Sequence, residues 1–301
     1  MELKFTAIEA TKAARSGGKG SSLANLTQAG LKVPEGFIVE AEISDRWLAQ
    51  AEDLPAWLAK LPENDPAALA AACLELQRRL ALLPLPENLA TAVADRLARE
   101  AKENFWAIRS SATTEDLAQA AFAGQHATFL GCRDSEILMK IRDCWLSLWS
   151  DRAVDYRRRA GFDLGEASMA VVVQRLVDSE AAGVGFSLDP VTGRTDRLVF
   201  DANYGLGESV VSGEVEVDHY RLLRGQGKAA PTLEIKIIGA KERMIVRAGR
   251  DHASGEEGSV WKAVYEDKRA RPVLTEGQLE ELGRLLLAAE RFYGHPVDIE
   301  W

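Results

Sequence analysis

The stretch Arg109-Ser110-Ser111-Ala112-Thr113-Thr114-Glu115-Asp116, followed by Phe122-Ala123-Gly124-Gln125, sets a guanidinium, several hydroxyls and two carboxylates beside a glycine turn. Phe105, Trp106 and Ile108 just ahead of it read as a buried strand that runs into the cation. A guanidinium fork matches phosphate oxygens bidentately, and successive backbone amides form an anion nest. The chemistry this loop would serve is the covering of a polyphosphate. On residue types alone the same segment also makes ordinary surface turns and helix caps, its hydroxyls bonding the local backbone.

Further blocks carry groups suited to the same ligand. Gly17-Gly18-Lys19-Gly20 opens a short amphipathic helix predicted to end at Gly30. Glycines let the backbone approach a ligand, a helix N-terminus offers unsatisfied N–H groups to an anion, and Lys19 adds a mobile charge. The spacing is not that of a Walker A loop, and alone the block is a glycine turn before a helix. Met169 to Val177 is a β-branched run that reads as a buried strand. Ala182 to Gly193 reads as a strand ending in a Pro/Gly turn, and Gly205-Leu206-Gly207-Glu208 places a carboxylate after two glycines. In Pro296 to Trp301 the alternation points Asp298 and Glu300 to one side. Such paired acids suit Mg²⁺, which is held by one or two carboxylates plus substrate phosphates; alone, the triplet also fits an edge strand with solvated acids.

Taken in this order, RSSAT-x-EDL with FAGQ, GGKG, VVVQ, GLGE and DIEW resemble the nucleotide-binding domain of the phosphoenolpyruvate synthase and pyruvate phosphate dikinase family, which includes the rifampicin phosphotransferases. The resemblance covers nearly the whole chain. It implies an α+β, ATP-grasp-like module over residues 1–301, with lobes at roughly 1–180 and 181–301 that close over ATP. It implies that Lys19 and Arg109 act on the phosphates as the catalytic cations, with Ser110, Thr113, Gly124 and Gln125 in the covering loop. In the family the end of the VVVQ strand is a hinge whose backbone recognises the adenine edge. Gln174 and Leu176 occupy those positions, with Leu176 where the family usually has Met. Ser187 stands where the family has Thr, Glu208 is the GLGE carboxylate, and Glu300, with Asp298 beside it, would ligate Mg²⁺.

The implied reaction is dikinase-type, like that of pyruvate, water dikinase: the pyrophosphoryl unit of ATP passes to a histidine, AMP forms, and an acceptor such as pyruvate is phosphorylated. His126, His219, His252 and His295 do not follow the Thr-Ser pair that marks the family's carrier histidine. The phosphohistidine and acceptor domains therefore read as absent, and the expected partner is a phosphohistidine carrier domain or subunit. Two other readings stand beside this one. The chain would be a nucleotide-binding or sensing protein without turnover, or the ATP-binding subunit of a split enzyme such as phenylphosphate synthase.

The elements that must position these groups are legible by period. Residues 43–101 read as short helical pieces cut by Pro55, Pro62, Pro66, Pro84 and Pro86, and residues 134–160 as two helices. The second of these carries Arg152, Arg157, Arg158 and Arg159, which reads as a solvated face. Thr275 to Gly294 reads as a helix opened by a Thr-x-x-Gln capping box. With 301 residues, 47% of them hydrophobic, the chain can build a sizeable core, while a net charge of −9 argues against a nucleic-acid partner. Three scattered cysteines do not make a disulfide framework or a zinc site. The Ala/Leu-rich stretch from Pro66 to Pro84 is broken by Glu75, Arg78 and Arg79, so no membrane association is expected. The N-terminus has no apolar signal-peptide run, and the expected compartment is the cytoplasm.

Overall fold

A computed structural model describes residues 2–99, 104–113, 127–225, 229–249 and 258–301. Gly124, Gln125, His126 and His252 lie outside the described residues. The chain forms two compact units, Met1–Leu176 and Val177–Trp301, and the boundary falls at the end of the VVVQ strand.

In the first unit the elements run β1 (Glu2–Lys4), α1 (Ala13–Gln28), β2 (Gly36–Val39), α2 (Ala41–Leu48), α3 (Leu54–Leu58), α4 (Pro66–Ala81), α5 (Glu87–Leu97), β3 (Trp106–Ala112), β4 (Thr128–Cys132), α6 (Ile137–Ser147), α7 (Asp151–Arg159) and β5 (Met169–Arg175). The strands form one antiparallel sheet in the order β1-β2-β5-β3-β4. The unbroken apolar run of β5 makes it the central strand, because both of its faces are covered. Val171 and Val173 join Phe37, Trp106 and Ile108 beneath helices α2 to α7, while Ala170 and Val172 join Ile38 and Ala24 beneath α1. The prolines cut the helical stretch as the sequence predicts. Pro66 stands in the first turn of α4, whose N-cap Asp65 accepts from the Ala67 and Ala68 amides, both at 3.0 Å.

The basic run of α7 differs from the solvated face predicted for it. Arg157 is buried, stacked 5.0 Å from the Trp149 ring centroid and donating to the Leu148 and Ala153 carbonyls, and burial lowers its pKa to about 10. Arg158 donates to Pro62 O at 2.6 Å. These guanidiniums cap backbone carbonyls and pack on an indole, a tertiary role that a charge run does not reveal.

The second unit runs β6 (Ala181–Phe186), β7 (Arg197–Tyr204), α8 (Glu208–Val211), β8 (Asp218–Leu223), β9 (Thr232–Ile237), β10 (Arg243–Arg247), β11 (Ser259–Ala263), α9 (Glu266–Arg269), α10 (Glu276–Tyr293) and β12 (Asp298–Glu300). A five-stranded antiparallel sheet has the order β12-β6-β7-β8-β9, and β10 and β11 pair as a separate hairpin. Helix α10, opened by the expected Thr275/Gln278 capping box, lays Leu279 and Leu286 on Leu198, Phe200, Ala202, Tyr220 and Leu222. One face of this sheet is therefore core. Elements of both kinds make the fold α+β.

A buried ion pair ties this unit together. Lys241 and Asp218 are both 0% exposed, and the ammonium donates to the Asp218 carboxylate and to Gly239 O. The same carboxylate accepts from Gly239 N at 2.9 Å, Tyr220 OH at 2.9 Å and Val273 N at 2.7 Å. Strand β8, the segment before β10 and the entry to α10 thus meet at one side chain. Burial beside that carboxylate pushes the Tyr220 phenol up. Removing one partner of a buried pair leaves an uncompensated charge, so Asp218→Ala is expected to lower stability by about 3–5 kcal/mol. Lys241→Met is expected to cost less, because the other Asp218 donors remain. Urea unfolding monitored by circular dichroism, with the two variants in the opposite order or equal to wild type, would refute this account of the core.

Candidate functional site

The segment expected to be a phosphate-covering loop begins as strand. Arg109, Ser110, Ser111 and Ala112 all belong to β3, paired in register with Val172, Val171, Ala170 and Met169 of β5. Period-two alternation therefore separates the hydroxyls. Arg109 and Ser111 share the face of Ala170 and Val172, on which α1 packs, whereas Ser110 lies on the opposite face. Ser110, predicted among the ligand contacts, is 1% exposed and donates to Ala127 O at 2.9 Å. Thr113 donates to Ser168 O at 3.3 Å.

Helix α1 begins at Ala13, earlier than the sequence predicts, and breaks at Gly17, where φ is 68° and ψ 177°. The cause of the break is visible. Ser111 Oγ accepts from Gly20 N at 2.9 Å and donates to Ser16 O at 2.8 Å. These are the donor and acceptor that an unbroken helix would join directly, so the hydroxyl sits inside the i to i−4 ladder. A Cβ at Gly17 would stand 2.0 Å from Ser111 O. The helix restarts beyond this point with Gly18 and Lys19 in its first turn. Lys19 and Arg109 are thereby brought to the same face of the sheet, one on the helix beside Ser111 and the other two residues from it on the strand. Restarted amides, an ammonium and a guanidinium on one face form an arrangement that fits a polyphosphate.

At the end of β5, Gln174 pairs with Ala107 and Gly36, and its amide Nε2 donates to Pro34 O at 3.1 Å. The Leu176 N–H donates to Phe105 O at 2.8 Å. The β5–β3 pairing thus runs one residue past the strand.

In the second unit, β12 pairs Asp298, Ile299 and Glu300 with Phe186, Gly185 and Val184. Ile299 packs into the core under α10, so the two exposed acids lie on the opposite face of the sheet. Among the described residues no cluster of three or more acidic, histidine or cysteine side chains could hold a metal ion. A cation on Asp298 and Glu300 would therefore need ligand oxygens to complete its shell, which fits the way Mg²⁺ is bound with substrate phosphates. Ser187 lies elsewhere. It is fully buried, accepts from Val297 N at 2.8 Å and, two residues on from Gly185, faces the α10 side, so its hydroxyl fastens β12 to β6. Glu208 opens α8 and accepts from Ser259 Oγ at 2.8 Å, a partner that its sequence context does not reveal. Across the same open face, in the row of Glu300 and Val184, Asp201 Oδ1 lies 2.8 Å from His219 Nδ1.

Comparison with known proteins matches residues 13–301 to the model of the pyruvate phosphate dikinase AMP/ATP-binding domain. The chain belongs to this family. It is 38% identical to a rifampicin phosphotransferase of Streptomyces sp over 299 residues, 98% of this chain and 33% of the relative. It is 38% identical to a probable phosphoenolpyruvate synthase of Methanothermobacter thermautotrophicus over 298 residues, 95% of this chain and 41% of the relative. A phosphoenolpyruvate synthase of Pyrococcus furiosus is 33% identical over 332 residues, 95% of this chain and 39% of that protein. The chain thus spans about a third to two fifths of the length of these relatives. Among the described residues no helix is long and apolar enough to cross a membrane.

Two expectations follow from the geometry of this family member. Ser111→Ala should strand the buried Gly20 N–H and Ser16 C=O, at about 1–3 kcal/mol for each unsatisfied group. Gly17→Ala should also destabilise, because its Cβ collides with strand backbone in a conformation that L residues avoid. Thermal melts in which both variants match wild type would remove the inserted hydroxyl from the account. The second concerns pH. The hydrogen bond to Asp201 raises the His219 pKa above 6.5, while burial and Arg221 oppose the shift and Asp189 adds to it. The pair's contribution to stability is then fully present below about 6.5 and lost as pH rises through the folded value. An NMR titration should place the imidazole above its ordinary value and Asp201→Asn should bring it back down; a midpoint unmoved by that substitution would refute the pairing.

Proposed function

We propose that this chain is the ATP-handling module of a dikinase-type phosphotransferase, ATP-grasp-like in architecture, with lobes at roughly 1–180 and 181–301. The observation that carries the reading is the common face of Lys19 and Arg109 beside the restarted N-terminus of α1. Phosphoryl-type transfer is chiefly positioning and charge neutralisation. In this reading Lys19 and Arg109 hold the phosphate oxygens and draw charge from the group in flight, while the amides at Gly18 and Lys19 orient the chain of phosphates. Gln174 and Leu176 mark the strand end where the adenine lies, Gly124 and Gln125 belong to the covering segment, and Glu208 is a further nucleotide contact. Asp298 and Glu300 would hold Mg²⁺, which when bound offsets phosphate charge. The pyrophosphoryl group passes to a histidine on a separate carrier domain or subunit, leaving AMP, and an acceptor such as pyruvate is phosphorylated in turn. The names of the relatives, phosphoenolpyruvate synthase and rifampicin phosphotransferase, support this class of reaction and differ in the final acceptor.

Calorimetric titration with MgATP tests the face assignment directly. Lys19→Ala and Arg109→Ala should each lose about 1.5–3 kcal/mol per hydrogen bond to a charged group, whereas Ser110→Ala, on the opposite face, should bind as wild type does. Equal losses in all three variants would sink the assignment. The chain alone is expected to release little AMP, and a phosphohistidine carrier domain should restore AMP formation. Glu300→Gln should abolish that restored activity while leaving the fold intact. Rapid AMP release by the isolated chain, or full activity of Glu300→Gln with the carrier, would show that the mechanism is different.

A further inference from the structure

The β10–β11 hairpin belongs to neither five-stranded sheet. Several of its described contacts fall on the segment around Glu208. Gly205 forms a parallel bridge with Ile245, and the Leu206 N–H donates to Ile245 O at 2.7 Å. Asn203 Nδ2 reaches Arg243 O at 3.0 Å, and the Arg243 guanidinium pairs with Glu214 at 3.1 Å, just beyond α8. Gly205 has φ 78°, and a Cβ there would stand 2.2 Å from Ile245 O, so hairpin and loop backbone meet with no room for a side chain. The buried Lys241, which fixes the approach to β10, sets the hairpin's start.

Within this frame one contact reaches a functional side chain. Arg247 of β10 pairs with Ser259 of β11, and Ser259 Oγ donates to Glu208 Oε2 at 2.8 Å. Glu208 stands at the first position of a single-turn helix. A hydroxyl bond to one oxygen restrains the orientation of the carboxylate. We infer that Ser259 is a positioning residue for Glu208, and that the hairpin is a working part of the nucleotide site rather than a decoration on it. The inference rests on the proposed contact between Glu208 and the nucleotide. It adds that this contact depends on a serine some fifty residues away, since the two positions are 51 apart in the chain.

A double-mutant cycle on ATP affinity, measured by calorimetry on the whole chain, tests it. Ser259→Ala should weaken ATP by about tenfold, the scale of one hydrogen bond to a charged group. Ser259→Thr, which keeps the hydroxyl, should restore most of the affinity. In a Glu208→Gln background, Ser259→Ala should cause little further loss, and the melting temperature of the nucleotide-free protein should not track the affinity change. Unchanged affinity in Ser259→Ala, or the same loss with and without Glu208, would overturn the inference while leaving the Glu208 contact standing. Unchanged affinity in Glu208→Gln itself would overturn the parent reading and the inference together.

Discussion

Much of the first unit depends on one hydroxyl placed where a helix would otherwise bond to itself. Ser111 stands between Gly20 N and Ser16 O, and α1 accordingly breaks and restarts above β3. The backbone turn this requires is open only to glycine, and the close approach of Gly17 to Ser111 O excludes any side chain. Helix and strand are thus fixed in axial position as well as in distance. Lys19, next to Gly20 on the helix, and Arg109, two residues before Ser111 on the strand, inherit their places from that contact.

The second unit meets a comparable need with charge. Asp218 accepts from Lys241, Tyr220 and two backbone amides, so strand, loop and helix entry are referenced to a single carboxylate. Buried ion pairs are weak sources of net stability, because desolvation cancels much of the attraction. Their value here is geometric. The carboxylate spends its lone pairs on donors from separate elements, which leaves few alternative packings that satisfy them all. Along β12 the core does the same for function. Ile299 is seated under α10, and the acids on either side of it are held at a fixed spacing on the opposite face.

What was legible in the sequence was what has a period or a local partner. The β-branched run of β5, the proline-cut helices, the Thr275/Gln278 box and the alternating acids of β12 all stand where predicted, since each is dictated by neighbours within a few residues. What was misread involves bonds across long separations. RSSA looks like loop because its side chains are polar, yet it is strand, and its polarity serves the broken ladder of α1 and the Ala127 carbonyl. Ser187 bonds the backbone of Val297, 110 residues away, a partner no local pattern announces. Arg157, Lys241 and Ser259 have no local signature, because their partners are carbonyls or carboxylates brought near only by folding. A hydroxyl's type shows that it will bond; only topology shows to what.

The cluster beneath α1 contains Ala10, Ala24, Ala41 and Ala170 alongside Phe5, Ile38 and Val172, whereas the opposite layer is filled by Trp47, Trp106, Trp145, Trp149 and large aliphatic residues. The sheet therefore has one side on which bulk can be traded between neighbours and another on which there is little bulk to trade. Core swaps that conserve total volume are usually tolerated, so the tryptophan side has many neutral neighbours in sequence space. The alanine side offers few, since any added methylene lifts the helix from the strand. Drift in this protein should thus be lopsided, fast through the thick layer and slow through the thin one.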